Sequence, residues 1–138
     1  MRTWMSYMHY KIYKWYISKG ENDVPLVYAF LICTFLLASN IQILSFIISI
    51  LLNITVFSTS TLIGKAIYAF VIVVPPALFN YFMVFHKAAW RETFNWFRMY
   101  PEKYEKWDIS TWAYAILSVV LWLTTIYGAD TIRNIFHQ

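Results

Sequence analysis

The chain has 138 residues, of which 60% are hydrophobic, 21% aromatic and only 13% charged, with a formal net charge of +4. A soluble domain carries about 25% charged residues, so this chain has roughly half the charge needed to clothe a water-facing surface, which excludes a soluble enzyme or a disordered tail. Its Lys and Arg residues are spread thinly among aromatics, a pattern that points to a lipid bilayer as partner, and no nucleic-acid partner is expected.

Residues 2–19 read as an amphipathic helix lying in the headgroup layer. Trp4, Met8, Ile12, Trp15 and Tyr16 recur at helical spacing, Lys11, Lys14 and Lys19 occupy other sectors, and Gly20 supplies a stop. After it, Asp23 is placed to cap the next helix, and Pro25 near the first turn sacrifices no helical hydrogen bond.

Between Asp23 and Lys65 lie 41 uncharged residues, and two further gaps, Lys65 to Lys87 and Asp108 to Asp130, hold 21 each. A membrane-crossing helix needs about 20 apolar residues, so each gap is long enough. The expected fold is an all-α integral membrane protein, one membrane domain over 1–138, with spans at 25–53, 64–85 and 109–127. Four spans are the alternative, with a turn at Ser39-Asn40-Ile41-Gln42. The placement of Lys and Arg favours three. Three spans put nine basic residues on one side and only Lys65 and Arg133 on the other, whereas four spans divide them six to five. The expected localisation is the bacterial inner (cell) membrane, multi-pass, with the N-terminus cytoplasmic and the C-terminus outside.

Within the first span Thr34, Ala38, Gln42, Ser45, Ser49 and Asn53 form one stripe, and Thr111, Ala115, Ser118, Trp122 and Thr125 repeat the pattern in the third. Small and hydroxylated residues allow close helix approach and interhelical hydrogen bonds in lipid; a polar pore lining is the competing use. Pro75 and Pro76 remove amide donors from the middle of the second span and predict a kink, with Asn80 on the same side. Residues 86–108 form a cytoplasmic aromatic and basic hairpin, in which Pro101 ends a helix and Asp108 is placed to cap the last span. Trp4, Trp15, Trp90, Phe94, Trp96, Phe97 and Trp107 are the expected interfacial or partner surface.

No catalytic residue, cofactor or metal is expected. The spans lack titratable clusters, and HExxH, GxSxG, Walker and paired Cys/His patterns do not occur. Cys33 is the single cysteine and is expected to pack as a small apolar side chain.

The run Tyr10-Lys11-Ile12-Tyr13-Lys14-Trp15-Tyr16-Ile17-Ser18-Lys19-Gly20, then Asn22-Asp23-Val24-Pro25, an apolar run containing Asn40, and the later Asn80-Tyr81-Phe82, resembles small polytopic bacterial inner-membrane proteins. The resemblance implies no activity. The expected function is a non-enzymatic membrane subunit, a homo-oligomer or part of a larger membrane complex, presenting its cytoplasmic face to a partner protein. An oligomeric channel or membrane-permeabilising effector, and an enzyme acting at lipid headgroups, are the alternatives.

Overall fold

The computed structural model describes residues 3–21, 23–52 and 61–136, with the side chains of residues 129–136 excepted. Asn53, which ends the expected first span, and residues 54–60, between it and the second, lie outside the described residues. Those described form five α-helices and no strand: α1 (Trp4–Ser18), α2 (Pro25–Leu51), α3 (Leu62–Asn80), α4 (Ala89–Met99) and α5 (Glu105–Phe136). Three helical stretches are long and apolar enough to cross a membrane: Pro25–Leu51, Leu62–Met99, which α3 opens, and Glu102–Gly128, most of which is α5.

Helix ends follow local chemistry. The Thr3 hydroxyl accepts from the Ser6 amide at the start of α1, and the Thr61 hydroxyl accepts from the Gly64 amide at the start of α3. α1 stops because Gly20 takes φ +88°, so that its amide and that of Glu21 reach back to the carbonyls of Ile17 and Tyr16. Asp23, by contrast, caps nothing. Val24 occupies the cap position of α2 without a side-chain hydrogen bond, and Pro25 begins the helix. Asp108 is likewise not a cap, because α5 starts earlier, at Glu105; its carboxylate is used elsewhere.

α2 is one unbroken helix of 27 residues, with no turn at Ser39–Gln42. It packs against α1, α3 and α5 and is the middle of the molecule. The apolar surfaces of α3 and α5 that turn away from it are exposed, as at Phe70 (65%) and Ile116 (63%). Such bare apolar faces belong in hydrocarbon.

α3 continues in helical register through Pro75, which is exposed, and Pro76, which is buried. The break in α-helical geometry comes five residues later, in a π-helical turn over Tyr81–Phe85 followed by a 3₁₀ turn over His86–Ala88. There Lys87 and Ala88 both adopt left-handed conformations, φ 54° and 55°, and reverse the chain into α4. A left-handed residue with a Cβ costs about 1–2 kcal/mol. Ala88→Gly is therefore expected to stabilise the fold by about 1 kcal/mol, read as a raised unfolding midpoint in detergent; an unchanged or lowered midpoint would contradict the strain.

Candidate functional site

At one end of the three long helices, α1, α4, the 3₁₀ turn Glu102–Tyr104 and the first turn of α5 form a cap. Its core is aromatic. Tyr7, Tyr10, Phe94, Phe97 and Tyr104 are buried with Val84, and Tyr13, Trp90, Trp96 and Trp107 pack around them. Tyr7 is the hub, with Phe97 5.1 Å away edge-on, Tyr104 stacked at 5.9 Å and Trp107 edge-on at 5.6 Å between ring centroids. These are the separations at which ring quadrupoles attract. Trp96 donates its indole N–H to the Tyr104 hydroxyl at 3.0 Å.

The charged centre of the cap joins α1 to α5. The Tyr7 hydroxyl donates to one oxygen of Asp108, and the Lys11 ammonium donates to the other at 2.8 Å. Burial, reinforced by the Asp108 carboxylate, pushes the Tyr7 phenol well above its ordinary value, so Tyr7 serves as a permanent donor. Lys14 lies one turn beyond Lys11 on the same side of α1, and no ion pair holds it among the described residues. Burial also raises the Tyr10 phenol, against the opposing pull of the Arg98 guanidinium.

On its other side α1 is an ordinary packed helix. Met8 and Ile12 are buried with Ala29, Cys33 and Leu36 of α2. Ser6 and His9 are buried as well. The His9 ring stands edge-on to Phe85 at 5.5 Å, and its Nδ1–H donates to the Met5 carbonyl at 2.9 Å. That tautomer leaves Nε2 as a bare acceptor, and it has no hydrogen-bond partner. Burial lowers the His9 pKa from 6.5 to about 4, with the Met5 carbonyl pulling weakly the other way.

The expected polar stripe is drawn into contacts among the chain's own helices. Asn80 of α3 donates to the Thr34 hydroxyl at 3.0 Å, and both residues are buried. The Trp122 indole donates to Gln42 at 3.0 Å. Off the stripe, Asn40 donates to the hydroxyls of Tyr114 (2.6 Å) and Ser118 (3.1 Å) on α5. Ala38 is buried, Ser45 and Ser49 are half-buried, and Asn53 lies outside the described residues.

Of the expected partner surface, Phe94 and Phe97 are buried core, at 5% and 1% exposure. Trp4, Trp90, Trp96 and Trp107 are half-buried against the chain itself, and Trp15 alone is exposed. The rings thus build the cap, while Met99 (62%) and Tyr100 (46%) at the end of α4 stand out from it. Sequence reasoning missed the Tyr7–Asp108–Lys11 centre. The available signal was the 4, 3 spacing of Tyr7, Lys11 and Lys14, one helical face.

No group of three or more His, Cys, Asp or Glu able to hold a metal occurs among the described residues. No protein-family model, curated protein or solved structure matches the chain.

Two expectations test these contacts. The depressed His9 pKa means that the fold binds fewer protons than the unfolded chain, so its contribution is complete above about pH 6.5 and is lost as pH falls toward 4. Wild type should lose about 3 kcal/mol across that window relative to His9→Gln, measured as the difference between their unfolding midpoints at pH 7.5 and 4.5; parallel curves would refute the burial. Asn40→Leu removes two interhelical donations, and a loss of about 0.5–2 kcal/mol is expected in mixed-detergent unfolding, whereas Ile41→Leu, on the exposed face, should change little.

Proposed function

We propose that the protein is a non-enzymatic integral membrane subunit of the bacterial inner membrane, N-terminus cytoplasmic, whose cap engages a partner protein or a second copy of the chain. The observation that carries this reading is the contrast between the helices and the cap. Asn40, Gln42 and the amide N–H of Asn80, costly groups of the long helices, find partners inside the same chain, while the buried Asn80 Oδ1 has none among the described residues. The cap instead turns its cations outward: Lys14, Lys19, Lys87, Arg91, Arg98, Lys103 and Lys106 are all exposed. Basic residues gather on the cytoplasmic side of membrane proteins, which supports the orientation.

α1 then runs along the cytoplasmic interface as a built-in part of the cap, with the aromatic hairpin folded over it. The internal pairing of Thr34 and Gln42 favours helix packing over a pore lining for the stripe. The side chains most available to a partner are Met99 and Tyr100, beside Arg98.

The test is cross-linking in intact membranes followed by sizing in mild detergent. A species larger than one chain is expected, and Met99→Asp combined with Tyr100→Ala should deplete it. Recovery of an isolated monomer alone would reject the reading.

A further inference from the structure

The cap carries a groove of uniform charge between α1 and α4. Two adjoining hollows of about 280 and 200 Å³ share Tyr10, Tyr13 and Arg98. The first adds Lys14 and Ile17, the second Arg91, and no carboxylate lines either. Glu102, Glu105 and Asp108 line an adjoining hollow that shares Tyr10, Lys14 and Pro101 with the first, but the Asp108 carboxylate there is already engaged by Lys11 and Tyr7. Lys14 and Arg98 have no ion-pair partner among the described residues, so two cations face a hollow floored by phenol rings.

The depth of this groove in the molecule narrows what it holds. Tyr13 packs on Phe94 at 5.3 Å. It belongs to the same cluster as Leu26, in the first turn of α2, and as Met83 and Phe85, where the α3 run ends. The groove therefore sits level with the ends of two apolar helices, the plane in which lipid phosphates lie when those helices cross a bilayer. Guanidinium and ammonium groups donate to phosphate oxygens with charge assistance, a phenol O–H adds a neutral donor, and Ile17 offers an apolar wall. Basic pockets at this level of membrane helices suit anionic headgroups.

We propose that Lys14 and Arg98, over the floor of Tyr10 and Tyr13, form a binding site for the phosphate headgroup of an anionic phospholipid. The site rests on the reading of the long helices as membrane spans, but it needs no protein partner. The isolated chain tests it, and a failed search for a partner leaves it standing.

The experiment is native mass spectrometry of the delipidated full chain given equal amounts of phosphatidylglycerol and phosphatidylcholine. Wild type should retain phosphatidylglycerol about tenfold or more over phosphatidylcholine, since each cation near a headgroup contributes a severalfold factor. Lys14→Gln with Arg98→Gln should abolish the preference. Lys14→Arg with Arg98→Lys, which keeps both charges, should retain it, as should Lys103→Gln with Lys106→Gln, whose cations line neither hollow. Both groove side chains are exposed, and an unchanged helical circular dichroism spectrum verifies that each variant is folded. Equal retention of the two lipids by wild type, or a preference that survives the double Gln variant, would overturn the proposal. Displacement of the lipid by millimolar inorganic phosphate would also overturn it, assigning the site to a free anion.

Discussion

Asp108 accepts one hydrogen bond from the Tyr7 hydroxyl and one from the Lys11 ammonium, and because both donors come from a single turn of α1, the rotation of that helix about its own axis is fixed. With the rotation set, Met8 and Ile12 face α2, and Tyr10 faces Phe94 and Phe97 of α4. Lys11 and Asp108 are partly exposed, at 22% and 36% of their side chains, so the ion pair is weak in energy. Its contribution is direction. The energy that holds the cap comes from the rings around Tyr7, which bury large apolar areas at favourable centroid separations.

Below the cap the same division holds between what binds and what orients. Apolar side chains on α2, α3 and α5 cannot tell one another from lipid, so burial alone does not choose a register. Directional groups do. Asn40 reaches Tyr114 and Ser118, Gln42 receives Trp122, and Thr34 receives Asn80, which pins α2 to α5 at successive levels and to α3 at one. All three polar positions lie on α2, which accounts for its central place.

The three long helices were legible because charge is so unevenly distributed: an uncharged run of 41 residues has few alternatives to an apolar helix. The stops at Gly20 and before Pro101 were legible for the same local reason, that backbone geometry is dictated there by one residue. What lay beyond reach was partner choice. Phe94 and Phe97 look like Trp15 in a sequence, since an aromatic ring suits a core and a membrane interface equally, and only the return of α4 over α1 buries the first two. Asp108 looked like a cap because its real partners lie about 100 positions earlier in the chain. His9 gave no sign of burial, for its one hydrogen bond is to a backbone carbonyl. At Pro75-Pro76 the helical register survives, and the irregular turn falls at Tyr81–Phe85, where no proline marks it.

The length of α5 carries a mechanical implication. Its 32 residues run without interruption from Glu105 to Phe136, which at 1.5 Å per residue is about 48 Å, well beyond the roughly 30 Å of a hydrocarbon core. Asp108 grips α1 from the first turn of this rod. An unbroken helix has no joint at which to absorb a displacement, so whatever reorients the cap swings the distal end as a lever does, and the two ends of α5 move together.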